Sequence, residues 1–516
     1  MKMSLLSILT VLAVLAFIPC GYAGNVYVDI NYAGSDSDGT LAKPFKVIQT
    51  AINRAIPGDI INVAAGTYYE WITLRDEIDL IGAGFSTTVI DAGYSAWDAI
   101  EGYELTDCLV RGFTIRNGNV NGYSGGGIYL ENSVITFDKC AVTNCKTTYY
   151  ESTGGGWGGG LFATRVNDGV GSNVTLTSCT FASNAATMYG AGVAIHSSSL
   201  TATDCIFDAN QATDVGGGIF LSNSTATIDK CLISNNSALH GGGIYWKLSS
   251  GAVRRSTITA NLIARDGAGI FIEGGLSSAS VKLTRNYIGD NMTYGGKGGG
   301  VYFWGSSAAA IYNCIVAWNT SNGFGGGIVT ETCSPKIINN TIVSNKGKSL
   351  RGGIYTIGTS IPTILNCILW DNSDDLFSES GNISANYTQV QNGDAGTENS
   401  AVQPGFANIL SRDYTLVPTS PCINTGSPTS LYNDRNGTRN DRGYTGGPYY
   451  PLAADVDDSA CVNILDLIVV RSNLGLDPAS GGKPACDVNK DGKINILDLI
   501  AVRSKLGIGC GIPMWP

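Results

Sequence analysis

The phrase Gly-Gly-Gly-Ile stands at Gly125 to Ile128 and returns, with small variations, eight more times. The apolar residue closing it falls at 128, 161, 193, 219, 244, 270, 301, 328 and 354, so successive phrases lie 25 to 33 residues apart. A fixed period in this range predicts a solenoid. One repeat is too short to bury its own apolar face and must stack on its neighbours.

Inside a repeat the pattern is β. Apolar residues alternate after the glycines, as in Ile219 and Leu221 or Ile270 and Ile272, which puts one face in and one face out. A second alternating pair follows, such as Val281 and Leu283. A third strand then reads Cys-x-apolar-x-x-Asn, as in Cys205-Phe207-Asn210 and Cys231-Ile233-Asn236. Ser256, Asn286 and Asn340 keep that frame without the thiol. Three short strands with no helix between them predict an all-β chain wound as a parallel β-helix. The recurring Asn is expected at a tight bend, because Asn tolerates left-handed backbone angles, and its amides are expected to bond along the axis. Cys140, Cys179, Cys205, Cys231, Cys314 and Cys367 share one inward column. At a spacing of about 4.8 Å their β-carbons stand too far apart to bridge, so they read as small buried hydrophobes.

On these residues the coils resemble the right-handed, single-stranded parallel β-helix of the pectin-lyase-like superfamily over about residues 25 to 372. The glycine phrase with its x-x-x-Asn partner is also similar to the repeats of polymorphic outer-membrane proteins. The resemblance implies a fold and no single activity, since lyases, hydrolases, epimerases and adhesins all use it.

Four segments are expected. Residues 1–23 read as a signal peptide: Lys2 precedes the apolar run Leu5 to Ile18, and Gly21-Tyr22-Ala23 fits a small-x-small cleavage site. The run is short for a membrane span, so a secreted protein, extracellular or attached at a cell surface, is expected. Residues 24–372 form the β-helix, opened by a short amphipathic helix within Val47 to Ile56 that covers the first coil. Residues 373–454, rich in Ser, Asn, Gly and Pro, read as a C-terminal cap and linker, with Asp434 to Tyr444 as its closing segment. Residues 455–510 form a second domain. The net charge of −10 and the lack of a basic cluster argue against nucleic acid and anionic membranes as partners.

The second domain carries the most specific motif in the chain. Asp487, Asn489, Asp491, Asn495 and Asp498 place oxygen ligands at positions 1, 3, 5, 9 and 12 of a calcium loop. Lys493 offers its carbonyl at position 7, and Gly492 stands at the turn. The phrase also occurs thirty-two residues earlier as Asp455, Asp457, Ser459, Cys461, Asn463 and Asp466, with Ala460 in place of the turn glycine. Two EF-hand-like loops whose position-12 Asp stands within Ile-Leu-Asp-Leu-Ile, each followed by Arg-Ser, resemble a type I dockerin. That resemblance implies a small α-helical domain, two Ca2+ sites and a cohesin-type receptor. The second site is expected to be tighter, because loop 1 lacks the turn glycine. The resemblance also points to Ile464, Leu465, Arg471 and Ser472, with Ile496, Leu497, Arg503 and Ser504, as the partner face. The apolar members of this set could instead fill the domain's own core. Cys461 and Cys486 could bridge the two repeats.

Whether the solenoid catalyses anything is open in the sequence. Its first outward column after the glycines runs Tyr129, Phe162, Ala194, Phe220, Tyr245, Phe271, Tyr302, Val329 and Tyr355. These aromatics either stack sugar rings or pack beneath loops. The second column runs Glu131, Thr164, His196, Ser222, Lys247, Glu273, Trp304, Glu331 and Ile357. Glu273 and Glu331, two coils apart, are at a separation that an inverting glycosidase could use, while Lys247 beside Glu273 suggests a plain ion pair. The catalytic signatures of polygalacturonases and pectate lyases are missing, and both histidines, His196 and His240, read as turn or surface residues. Two functions follow: a dockerin-bearing protein that binds or processes polysaccharide, or a non-catalytic adhesin or scaffold.

Overall fold

The computed structural model describes residues 23–93, 97–151, 155–167, 169–274, 280–305, 308–380, 383–393, 396–448, 455–456, 462–476, 484–489 and 492–506. The expected signal peptide lies outside them up to residue 22. No helix among the described residues is long and apolar enough to cross a membrane.

The chain is a parallel β-helix of about 11 turns. One turn shows the plan: Ile219–Ser222, Thr225–Asp229, Leu232–Ser234 and Ser237–Ala238. The first three strands enter sheets of 12, 14 and 13 strands. The last enters a corner sheet of 9, which the sequence does not announce because strands of two or three residues show no alternation. The glycine-led strands are in register throughout. Ile128 pairs with Leu161, which passes to Val193, Ile219, Ile244, Ile270, Val301, Ile328 and Ile354. All nine are buried in one core.

The glycines bring the coils close together. A methyl group on Gly243 would stand 2.5 Å from the carbonyl oxygen of Gly269 in the next coil. Gly241 takes a φ of +60°, which an L side chain rarely adopts.

The asparagine column bonds along the axis as expected, but the tight bend is not made by the asparagines themselves. The left-handed residue is the one before each Asn: Ser183, Ala209, Asn235, Ala260, Asp290, Trp318, Ser344 and Asp371. The asparagines are there for their amides. Asn236 Nδ2 donates to Asn261 Oδ1 at 3.0 Å, and the Asn236 backbone N–H donates to the same oxygen at 3.0 Å. The bond repeats from Asn184 to Asn372.

The cysteine column is likewise more than apolar filler. From Ser256 to Cys367 each member accepts from the backbone of the coil before it, which Ser and Asn do as well as Cys: Cys231 N–H donates to Ser256 Oγ, Ser256 N–H to Asn286 Oδ1 and Asn286 N–H to Cys314 Sγ. Burial pushes the Cys314 and Cys367 thiols up to about 12. Since the thiolate is the nucleophile, these two should resist alkylation in the native chain at mildly alkaline pH and react once it is unfolded in guanidinium. Peptide mapping by mass spectrometry reads this directly. Labelling of the folded chain at either position would contradict the burial.

Both ends are closed. Helix α1 (Ile48–Arg54) buries Ile48, Ala51 and Ile52 over the first coil. Its N-terminus is capped from outside, since the Glu70 carboxylate accepts from Ile48 and Gln49 N–H at 2.9 Å. At the other end parallel pairing runs on through Leu376–Ser378 and Ala385–Asn386 to Gln389–Val390. The Asp434 to Tyr444 segment then folds back along the cysteine-led sheet. Asn339 exchanges amide bonds with Asn440, and buried Arg442 donates to the carbonyls of Thr388, Glu398 and Thr425. Its charged residues hold the cap in place.

Candidate functional site

The outward face of the glycine-led sheet carries a cleft of about 610 Å³. The first outward column forms its floor and does not offer itself to solvent. Phe220, Tyr245, Phe271 and Tyr302 are buried and pack with Val329 and Tyr355 in a core of their own, under Trp157, Tyr189 and Phe324. These aromatics pack on one another and on the rings of the residues that precede the glycines. Arg351 closes one end over the rings of Phe324 and Phe377, each about 4.4 Å away.

The second column is in the expected register. Lys247 pairs with Glu273, Glu273 with Trp304, and Trp304 with Glu331, so an exposed indole separates the two carboxylates. Glu273 accepts from the Tyr245 hydroxyl and faces Lys247 Nζ at 3.9 Å. Glu331 accepts from the Tyr302 hydroxyl and from Lys297 Nζ at 2.7 Å. Burial and the adjoining Glu drive both tyrosines above their ordinary range, so they stay as donors. The Tyr–Glu bond recurs at Tyr355–Glu379, beyond the cleft, which makes it a device of the face.

A third column was missed in the sequence. It is the residue just before the glycines, and Trp157, Tyr189, Val215 and His240 pair in order along it. Its chemistry changes from coil to coil, so no repeat betrays it. It places His240 in the cleft, with Nδ1 3.4 Å from Asp266 Oδ2 on the next coil. Burial opposes the charge on Asp266. The bond from His240, the Lys297 N–H at 2.8 Å and the nearby cations outweigh it and hold the carboxyl below its usual range. His196 lies half-buried beneath Trp157, 5.4 Å between rings, and burial lowers its basicity.

The tail forms a separate site. Helices α2 (Ile464–Ser472) and α3 (Ile496–Arg503) pack around Val462, Val470, Cys486, Ile494 and Val502. Each begins with a reciprocal cap: Asn463 and Asp466 in one, Asn495 and Asp498 in the other. In loop 2 Asp498 Oδ1 accepts from Asn489 N–H at 3.1 Å, and Asp487 Oδ2 accepts from Gly492 N–H at 2.9 Å. Gly492 has a φ of +82°. Asp487, Asn489, Lys493, Asn495 and Asp498 lie in this loop and on the first turn of α3, and oxygen donors of this kind suit a hard cation. In loop 1 Asp455 is buried against Arg435, Oδ2 to Nη1 3.1 Å. Asp457, Ser459, Cys461 and Asp491 lie outside the described residues, which also leaves the Cys461–Cys486 pairing undescribed.

Ile464, Leu465, Ile496 and Leu497 are 53–62 % exposed, so they do not fill the domain's core. Arg471, Ser472, Arg503 and Ser504 are exposed as well. Between α2 and α3 runs a groove of about 370 Å³, walled in duplicate by Ile464, Ile468 and Arg471 and by Ile496, Ile500 and Arg503.

The sequence matches the family described as right handed beta helix region over residues 85–237 and 217–400, and the dockerin type I domain over residues 453–507. No curated protein matches. Among solved structures it is similar to the native GH136 lacto-N-biosidase from Eubacterium ramulus, at 12% identity over 73% of this chain and 68% of that one, TM-score 0.40. It is also similar to the Dettilon tailspike protein, at 15% identity over 69% and 68%, TM-score 0.42. Pectate lyase Pel9A is 15% identical over 82% and 96%, TM-score 0.34.

Proposed function

The chain belongs to the right-handed β-helix family and carries a type I dockerin domain, and from that premise we propose that it is a secreted protein that cleaves a polysaccharide in its central cleft while docked through its tail on a cohesin-type receptor. The observation that carries the cleavage is the His240–Asp266 pair. A carboxylate held ionised beside an imidazole fixes its orientation and leaves its other nitrogen to exchange a proton with substrate. Trp304 offers a stacking face for a sugar ring beside it, and Tyr245 and Tyr302 hold Glu273 and Glu331 in place. Four acids, Asp214, Asp266, Glu273 and Glu331, outnumber the lysines Lys247 and Lys297, which favours an uncharged polymer over a polyuronate.

The dockerin domain implies calcium and a cohesin partner. Asp487, Asn489, Asp491, Lys493, Asn495 and Asp498 would hold one ion; Asp455, Asp457, Ser459, Cys461, Asn463 and Asp466 would hold a second, weaker one. The ion supplies no catalysis; it ties each loop to the helix that follows. The duplicated exposed residues of α2 and α3 fit a receptor that can be engaged in either of two orientations.

The test is a screen of the full chain against neutral and acidic polysaccharides, scored for reducing ends and for unsaturated products. On the substrate that is cut, His240→Gln should lower kcat by about 10²-fold or more. Glu273→Gln should lower it less. Bound polymer with no product from any substrate would replace the reading by the adhesin one.

A further inference from the structure

A second pocket, about 690 Å³, opens on the same face in the early coils of strands Ile100–Tyr103 and Ile128–Glu131. Here the glycine phrase fails. The pairing of Ile100 with Ile128 sets Asp98 level with Gly126, so a carboxyl occupies a glycine's place. It is seated tightly, since a methyl group on Gly125 would stand 2.2 Å from Asp98 Oδ1. Asp98 is only 7% exposed, and its Oδ1 is buried with no hydrogen-bond partner. Glu101 and Glu131 also line the pocket, and no Lys, Arg or His does so among the described residues. At its mouth Trp97 and Tyr123 are exposed.

A buried carboxyl with no cation facing it and one oxygen without a partner is costly as an anion. Burial first, and the charge of Glu101 second, push Asp98 well above the carboxylate range. As an acid it is a donor in search of an acceptor. Exposed aromatic faces beside such a group are suited to the apolar face of a sugar ring, whose hydroxyl and ring oxygens accept. A uronate would meet three carboxyl groups and no counter-charge. A metal ion is disfavoured too, because no set of three His, Cys, Asp or Glu among the described residues is arranged to hold one.

We propose that this pocket is a second saccharide site, which takes an uncharged sugar residue against Trp97 and Tyr123 and gives it a hydrogen bond from the Asp98 carboxyl. It is separate from the central cleft and does not depend on catalysis there.

Calorimetry of the full chain tests it, with hexasaccharides of β-linked glucose, xylose and mannose as neutral probes and the galacturonic acid hexamer as the charged one. At least one neutral hexamer should bind, and Trp97→Ala and Tyr123→Ala should each weaken it about tenfold. Both side chains are exposed, so these variants should fold. Asp98→Leu should weaken binding similarly, whereas Asp98→Asn, which keeps an N–H donor, should stay within about threefold. The groups facing Asp98 are Glu101, Glu131, Tyr103, Tyr129 and Cys145. Burial holds Tyr129 and Cys145 up at about 12, so Asp98 ionises before them as pH rises. Wild-type affinity should therefore fall with rising pH and that of Asp98→Asn should not. The titrations are run on the His240→Gln chain as well as on the wild type, so that heat from cleavage in the central cleft is kept out of the binding measurement. Failure of all neutral probes, tighter binding of the galacturonate hexamer, or full affinity in Trp97→Ala overturns the proposal.

Discussion

Removing calcium with EDTA should unfold the tail beyond residue 455, abolish capture by a cohesin receptor and leave the β-helix intact. Among the described residues the domain's buried core is Val456, Val462, Val470, Cys486, Ile494 and Val502. Helices of nine and eight residues are too short to persist alone. Both also turn large apolar side chains outward, among them Ile464, Ile468, Ile496 and Ile500. A core of this size needs a metal to hold the fold, so the binding energy of the ion is folding energy. Far-UV circular dichroism should lose its small helical component and keep its β signal, and limited proteolysis should cut only after the cap. Calorimetry of calcium re-addition should show two events, the tighter one lost in Asp487→Ala. Loop 2 has Gly492 at its sharp turn, whereas in loop 1 Asp455 would first have to leave Arg435. A tail that stays folded and docked in EDTA, or two sites of equal affinity, would defeat this account.

Asn261→Ala should destabilise the β-helix by about 3–6 kcal/mol, far more than an exposed Asn→Ala change. Asn261 Nδ2 donates to Ile233 O at 3.0 Å and to Asn291 Oδ1 at 2.9 Å. Its Oδ1 accepts from Asn236 N–H and Asn236 Nδ2, both at 3.0 Å. Alanine deletes all four bonds where no water reaches, and leaves a backbone N–H and a carbonyl without those partners. Each such orphan costs about 1–3 kcal/mol. Asn261→Asp should recover little, because an acceptor-only group keeps two bonds and buries a charge. Urea unfolding read by tryptophan fluorescence measures the loss. A shift below about 1 kcal/mol would mean that the amide row is ornamental to stability.

The fold was legible in the sequence because it repeats. Nine closing residues at a regular spacing fix the column from Ile128 to Ile354, and alternation fixes which side chains are inside. The amide row of the asparagines was legible but the bend was not: the left-handed backbone position belongs to whatever precedes each Asn, even Ala209 or Trp318. The dockerin domain could be read from its repeated phrase, because a metal loop dictates oxygen donors at set positions. Sites on the solenoid could not. His240 and Asp266 are far apart in sequence and meet only when two coils stack, at a column with no repeated chemistry. Asp98 hid for the opposite reason, since the phrase that marks every later coil is missing there.

The side-chain rows that run along the axis also set how this chain can change length. From Asn184 to Asn372 each coil hands the next the same amide bonds. A duplicated or deleted whole coil therefore finds its connections waiting, whereas one extra residue within a strand throws every following row out of step. The face that carries the cleft can thus lengthen only in whole increments of about 4.8 Å, like a ruler extended one graduation at a time.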